Sequence, residues 1–279
     1  MRFQFKNGSW QIAEESKIFA ILNVTPDSFF DGGKWFTPAE AVSSALQMLA
    51  DGADAIDVGG ESSRPGATPV SEQEEMDRVL PVIRGIRAAS DCVISIDTYK
   101  PAVADAALQA GAQIVNDISA GRDPGMAGVI RQHGAGWILM HMRGTPQDMQ
   151  IAPAYENVTH DVFTFLHGKT LHASRTGIPL EQLAIDPGIG FGKTPDHNLE
   201  LLAQTAQFAR ELGLPVMVGT SRKSFLGKIS GSDTPDDRLP GSLASILWAH
   251  AQGARFLRVH DVKATRLALT TWEAIRRFA

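Results

Sequence analysis

Asp97, Asn116 and Asp186 each close a short apolar run, and their side chains offer oxygen acceptors to a ligand rich in N–H groups. A carboxylate accepts two parallel hydrogen bonds from adjacent donors, and an asparagine amide both donates and accepts. Gly219-Thr-Ser221-Arg222-Lys223-Ser224 follows another apolar run, and Arg258 and His260 lie two apart on the last one. Residues two apart on a strand face the same side. Cations beside the N–H groups of a helix start suit a phosphorylated ligand. Plainer readings exist for each residue. Asp117 can cap a turn, Asp97-Thr98 can cap a helix beginning at Lys100-Pro101, Arg258 can pair with Asp261 or Glu273, and Lys223 can occupy a solvated turn. An unpaired buried carboxylate is costly, so the joint placement of these groups favours one shared site.

Two other motifs carry less. Asp186-Pro-Gly-Ile-Gly-Phe-Gly-Lys193-Thr194 has the outline of a phosphate-binding P-loop, but Pro187 stands where the first glycine belongs. Proline removes an N–H that the phosphate nest would use. The glycines instead allow a tight turn beside a flat ligand, with Phe191 nearby. His160, His167 and His172 share one helical segment without a cysteine or carboxylate to complete a zinc site, and read as surface residues. His141 closes an apolar run and could line the site or serve as a satisfied inner residue.

The elements that must position these groups are eight apolar runs separated by helical periodicity. The runs are 18–22, 55–58, 93–96, 114–115, 137–140, 183–185, 216–218 and 256–259. Eight strand–helix repeats fit a closed (β/α)8 TIM barrel, an α/β fold whose chemistry sits at the C-terminal strand ends. Helices are expected over 38–51, 72–90, 101–110, 124–134, 155–177, 196–213, 240–253 and 261–275, several opened by a Pro or a capping residue. Residues 1–17 precede this rhythm. Phe3 and Phe5 before Asn7-Gly8, and Trp10 and Ile12 after it, predict a β-hairpin plugging the N-terminal mouth. The expected organisation is that hairpin extension followed by a barrel over 18–279, one domain overall. Three long connections, 25–36, 59–70 and 142–154, fall on the catalytic side, where such loops act as lids or carry specificity.

A chain of 279 residues with 43% hydrophobic content matches one barrel. Its net charge of −5 argues against a general nucleic-acid surface. The single cysteine, Cys92, excludes an internal disulfide and is expected to be a buried thiol. The N-terminus lacks the pattern of a secretory signal, and no apolar run approaches the ~20 residues that span a bilayer. A cytoplasmic enzyme is expected.

Several motifs together resemble the dihydropteroate synthase family. They are Ile21-Leu-Asn-Val-Thr-Pro-Asp-Ser-Phe29, Asp57-Val-Gly-Gly-Glu-Ser-Ser-Arg-Pro-Gly66, Ser95-Ile-Asp-Thr98, Asn116-Asp117, Leu139-Met-His-Met142, Asp186-Pro-Gly, Phe191-Gly-Lys193, Ser221-Arg-Lys-Ser224 and Arg258-Val-His-Asp261. The first and last are the most specific, and the middle ones are shared among pterin-binding barrels. The resemblance implies condensation of 6-hydroxymethyl-7,8-dihydropterin pyrophosphate with 4-aminobenzoate, releasing pyrophosphate. It places Asp97, Asn116, Asp186 and Lys223 at the pterin, and Asn23, Arg258 and His260 at the pyrophosphate and a Mg²⁺ ion. It places Ser63 and Arg64 on a mobile second loop, and Ser224 near the aminobenzoate carboxylate. It also implies a homodimer, with an interface on the helix over 240–253, and a sulfonamide target. Ser63 replaces a usual Thr, Phe30 a common Ser, and Ile189 a frequent Phe, which leaves the reaction intact and bears on loop packing. Two alternatives share the barrel. A methyltetrahydrofolate:corrinoid-protein methyltransferase would need no pyrophosphate site, and a non-catalytic pterin-binding homologue would keep charged strand ends at a cost in stability.

Overall fold

The computed structural model describes residues 1–13, 15–25, 37–231, 234 and 236–278. Most of the first long connection, 26–36 with Phe30, lies outside the described residues.

The chain opens with a hairpin of β1 (Arg2–Phe5) and β2 (Gly8–Gln11), in which Phe3 pairs with Trp10 and Phe5 with Gly8. The turn is therefore Lys6-Asn7, one residue earlier than expected. Asn7 takes φ 61°, a conformation Asn tolerates better than most side chains. Gly8 lies in the strand opposite Phe5, whose ring a Cβ there would meet at 2.5 Å.

Eight parallel strands follow: β3 (Lys17–Asn23), β4 (Ala55–Gly59), β5 (Val93–Asp97), β6 (Ile114–Asp117), β7 (Gly136–Met140), β8 (Leu183–Asp186), β9 (Met217–Val218) and β10 (Phe256–Val259). Their order is β8-β7-β6-β5-β4-β3-β10-β9, and a parallel bridge between Ile185 and Val216 closes the ring. This is the expected (β/α)8 barrel. All eight strands fall on the predicted apolar runs.

Alternation along the strands sorts the interior. Ile18, Ala20, Leu22, Ile56, Val58, Ile94, Ile96, Leu257 and Val259 face outward into the main core beneath the helices. The residues between them face the axis. At the strand starts these are Phe19, Ala55, Ile114, Ile138, Ala184, Met217 and Phe256, which form one apolar cluster with Phe3, Phe5 and Ile12 of the hairpin. The Phe3 and Phe256 rings meet at 5.0 Å and those of Trp10 and Phe19 at 5.8 Å, both edge to face. The hairpin thus plugs the N-terminal mouth with aromatic rings, each worth roughly 1.5–3 kcal/mol of burial. Two residues on, the same inward rows carry Asp57, Asn116, Asp186 and Arg258, with Asp97 and His260 further up.

The helices are α1 (Pro38–Ala50), α2 (Glu72–Ala89), α3 (Pro101–Ala110), α4 (Gly125–His133), α5 (Val158–Arg175), α6 (Pro195–Ala203), α7 (Thr205–Leu212), α8 (Ser224–Ser230), α9 (Leu239–Ala251) and α10 (Val262–Arg276). Thr37 and Glu40 form a full capping box on α1, and Ser71 caps α2 by accepting from the Glu74 N–H. The segment expected as one helix over 196–213 is two. At the break the Leu202 carbonyl accepts from the Thr205 hydroxyl at 2.9 Å and the Trp248 indole at 3.2 Å, which compete with the helical ladder. Helix α5 starts later than expected, at an Asn157 cap. Helix α8 matches none of the expected helices, its seven residues being too short for a clear period. Cys92 is half-buried rather than buried, since it sits just before β5 and not within the strand. Ile246 and His250 of α9 are core residues, and Leu247 packs against the same core, whereas Trp248 on that helix is 50% exposed.

Candidate active site

The C-terminal ends of the strands converge on a narrow cavity of about 50 Å³. Of the residues expected there from the sequence, Ser63, Asp97, Asn116, Asp186, Phe191, Lys223, Arg258 and His260 all line it. Asn23, Arg64 and Ser224 do not. Asn23 is half-buried at the end of β3, Arg64 is exposed on the 59–70 connection, and Ser224 is exposed at the start of α8. A larger cavity, about 490 Å³, lies beside the first between the 59–70 connection and the loops after β5, β6 and β7. None of the charged strand-end residues lines it.

The small cavity is narrow because its charges reach across to one another. The Arg258 Nε donates to Asp57 Oδ2 at 2.6 Å, and its Nη2 donates to Asp97 Oδ2 at 2.5 Å. The expected partners Asp261 and Glu273 are not used. Arg258 points to the axis with Phe256, whereas Asp261 lies past the strand end and pairs with Arg222 at 2.6 Å. Asn116 Nδ2 donates to the same Asp57 oxygen at 3.1 Å. Asp57, fully buried, belongs to this network although its place in the motif Asp57-Val-Gly-Gly gave it no expected role. The available signal was a carboxylate in the middle of the run Ala55-Ile-Asp-Val-Gly59, on the inward parity of that strand.

Burial pushes the Asp97 carboxyl up to about 7, against the pull of Arg258 and with the neighbouring Asp57 adding to the rise. Burial also raises Asp186, against Lys223. Desolvation acts downward on Arg258, and Asp57 and Asp97 overcome it and hold the guanidinium above its ordinary range. Burial lowers Lys223 to about 8 and His260 to about 4, the latter helped by Arg258 and Arg222. These are opposed shifts of the kind found where charge awaits a partner. Asp57 Oδ1 and Asn116 Oδ1 are buried without a hydrogen-bond partner among the described residues, leaving acceptors for a donor-rich ligand.

The segment after β8 builds one wall. The Asp186 Oδ1 accepts from the Gly188 N–H at 2.7 Å. Gly188 takes φ 69°, and a Cβ there would sit 1.8 Å from the His141 carbonyl oxygen, so only glycine fits. The Lys193 ammonium, buried, donates to the Gly188 and Phe191 carbonyls at 2.9 Å each and lies 3.0 Å from His141 Nδ1. Lys193 and His141 are thus inner groups that hold this loop in place. The loop presents the Phe191 ring, over which Lys223 Nζ lies at 4.5 Å from the centroid while donating to the Ile189 carbonyl. Lys223 is therefore held across the site and not in a solvated turn. Ile118, Met140, Met142, Met149 and Phe191 form a small apolar cluster beside the acceptors. Asp117 takes the plainer role foreseen for it, accepting from Ser119 N, Ser119 Oγ and Gly121 N at 2.7–2.8 Å. His260 is oriented by Ser221, whose Oγ lies 3.1 Å from both its backbone N–H and its Nδ1. The three helical histidines are exposed, as expected.

A magnesium ion that keeps waters and rides on substrate phosphates needs only one or two protein oxygens. The described residues contain no cluster of three His, Cys, Asp or Glu side chains that would cage a cation by itself. Asn23 fits the smaller role. Its Oδ1 lies 3.4 Å from where a Cβ on Gly59 would stand, with Asp97 Oδ2 at 3.7 Å from the same point.

A barrel with acceptors, an aromatic wall and cations at one mouth makes a small-molecule site suited to a flat, donor-rich, anionic ligand. Comparison with known proteins agrees. The profile of the pterin binding enzymes matches residues 19–260. Dihydropteroate synthase of Escherichia coli K12 is 43% identical over 270 residues, which is 97% of this chain and 95% of the relative. The crystal structure of Yersinia pestis dihydropteroate synthase with a sulfonamide drug superposes with a TM-score of 0.93 at 40% identity, covering 99% of this chain and 100% of that one. Dihydropteroate synthase from Xanthomonas albilineans in complex with 7,8-dihydropteroate gives a TM-score of 0.88 at 39% identity, covering 98% of this chain and 99% of that one. The chain belongs to the dihydropteroate synthase family of pterin-binding enzymes.

Proposed function

We propose that the protein condenses 6-hydroxymethyl-7,8-dihydropterin pyrophosphate with 4-aminobenzoate to give 7,8-dihydropteroate and pyrophosphate. The observation that carries this reading is the convergence, in one slot, of Asp97, Asn116 and Asp186 with Lys223, Arg258 and His260. The three acceptors meet the N–H edges of the pterin, and Phe191, Ile118 and Met140 give its faces apolar contact. Lys223 reaches the ring from above Phe191.

The pterin-methylene C–O bond breaks with its electron pair leaving on pyrophosphate, and the amine of aminobenzoate then bonds to that carbon and loses a proton. Arg258, exchanging its hold on Asp97 for the leaving oxygens, and His260 stabilise the departing charge, with Ser63 and Arg64 approaching from the 59–70 loop. Asp97, once released from Arg258, stabilises the cationic pterin methylene. Ser224, at the start of α8, faces the aminobenzoate carboxylate. Asn23 would hold Mg²⁺, which when bound neutralises part of the pyrophosphate charge. Closure of the long loops excludes water that would otherwise trap the cation.

The methyltransferase reading leaves Arg258, His260 and the Ser221–Ser224 segment without a use. We further read the chain as a cytoplasmic homodimer in which hairpin and barrel act as one domain. Among the described residues no helix is long and apolar enough to cross a membrane. Leu199, Trp248 and Leu267, each 45% exposed or more on α6, α9 and α10, fit the pairing of two copies. The test is pyrophosphate release from the dihydropterin pyrophosphate with and without 4-aminobenzoate, in the presence of Mg²⁺. Release coupled to dihydropteroate formation supports the synthase; binding of the pterin with neither product overturns it in favour of a non-catalytic binder.

A further inference from the structure

The 59–70 connection has a buried base and an exposed tip. Glu61, two residues past β4, uses both carboxylate oxygens at that base. Its Oε1 accepts from the Tyr99 hydroxyl at 2.6 Å, and its Oε2 accepts from the Lys100 ammonium at 2.6 Å and the Val70 N–H at 3.1 Å. Lys100 Nζ completes its three donors on the Val70 carbonyl at 2.6 Å and Glu75 Oε2 at 2.7 Å. Both polar backbone groups of Val70, at the far end of the loop, are thereby held by residues at its near end and on the neighbouring β5–α3 turn. The side chains of Glu61, Lys100 and Glu75 are only 8%, 12% and 1% exposed. By contrast Arg64, Pro65 and Gly66 at the tip are exposed, and the Gly66 N–H donates to the Pro146 carbonyl at 2.9 Å.

We propose that Glu61 and Lys100 are positioning residues for turnover, their ion pair clamping the two ends of the 62–69 loop so that Ser63 is held at the cavity and Arg64 swings to the pyrophosphate from a fixed stem. This rests on the functional reading above, in which Ser63 and Arg64 serve the leaving group. A buried ion pair is a poor source of stability compared with apolar packing of equal volume, and its directional bonds are better suited to holding one register. The clamp also lies where a hinge must: at the two points where the chain leaves and re-enters the packed body, with the intervening tip in solvent. None of the groups that the Lys100 ammonium bonds, Glu61, Val70 and Glu75, lines the strand-end cavity, so Lys100 acts on the chemistry from outside it.

The experiment compares the parent enzyme with Lys100→Met, Lys100→Arg, Glu61→Gln and the double variant Glu61→Gln/Lys100→Met. Three readouts are taken: kcat and KM for both substrates, affinity for 6-hydroxymethylpterin (which lacks pyrophosphate) by calorimetry, and hydrogen exchange of the 62–69 amides. The clamp predicts that Lys100→Met lowers kcat/KM for aminobenzoate by about 10-fold or more and speeds exchange in 62–69. The double variant should be no worse than the single by more than about two-fold, since the two residues act as one unit. Lys100→Arg should recover part of the loss, and pterin affinity should stay within about two-fold throughout. A fall in pterin affinity in step with kcat/KM would assign the pair to general support of the site and overturn the proposal, as would unchanged kcat/KM with unchanged exchange. Should Lys100→Met fail to fold, Glu61→Gln, which keeps the volume and most hydrogen bonds, decides the same question. A parent that forms no dihydropteroate overturns the functional reading and the turnover role with it, while faster exchange in the variants would leave the clamp itself standing.

Discussion

The two mouths of the barrel are built from the same eight strands and opposite chemistry. At the N-terminal mouth Phe19 and Phe256 meet Phe3, Phe5 and Trp10 of the hairpin in a dry aromatic plug. Two residues further along β10, on the same inward face, Arg258 lies between Asp57 and Asp97. The plug gains free energy from every ring it buries. The other mouth holds carboxylates and cations whose ordinary titration burial opposes, and it keeps buried acceptors without partners among the described residues. One end of the barrel is arranged for stability and the other gives stability up for binding, as expected when a fold separates the two tasks along its axis.

The largest expected effect is on the plug. Phe3→Ala should lower unfolding free energy by about 3–5 kcal/mol, through lost burial and the cavity left behind, while kcat and KM below the melting transition stay at the parent values. Chemical denaturation and steady-state kinetics on the same sample check both halves; a matching fall in kcat would show that the two mouths are not independent. Arg258→Met should do the reverse to activity, lowering kcat by about 100- to 1000-fold, the range for losing a group that stabilises developing charge. A rate within ten-fold of the parent would remove Arg258 from the leaving-group role.

Asp186→Ala should weaken pterin binding by about 10- to 150-fold, the worth of a charge-assisted hydrogen bond at roughly 1.5–3 kcal/mol. Calorimetric titration with the pterin reads this directly, and unchanged affinity would place Asp186 outside the site. The smallest effect is a pH signature. The native Asp97 carboxyl keeps its proton up to about 7, whereas the unfolded chain releases it near 3.8. Across that window the native state binds more protons, so this group's contribution to stability falls as pH rises. The melting temperature of Asp97→Asn relative to the parent should therefore climb from about pH 4 to about pH 7 and then level off. The opposite trend would show that Arg258 keeps the carboxylate ionised throughout.

Much of this was legible in the residues themselves. Each strand was marked by an apolar run, since a parallel strand covered by helices has no solvent face to interrupt it. The hairpin was marked by alternation around Asn7-Gly8. Strand-end position alone nominated Asp97, Asn116, Asp186, Arg258 and His260, because the fold assigns those ends to one mouth whatever the loops do. What stayed hidden was pairing across the barrel. Nothing local tells Arg258 to choose Asp57, 201 residues away, over Asp261, three away. That choice follows from the inward parity of two strands brought together by ring closure. The break at Gln204 is decided the same way, by a Trp248 indole arriving from another helix to claim the Leu202 carbonyl. The Glu61–Lys100 clamp joins two loops that are neighbours only because β4 and β5 lie side by side. The sequence by itself determined which residues are apolar, which runs become strands, and hence which side chains reach the mouth. Only the tertiary structure decided which of them satisfy one another, because a buried charge is matched by whatever partner the fold places within reach, and that distance is not written along the chain.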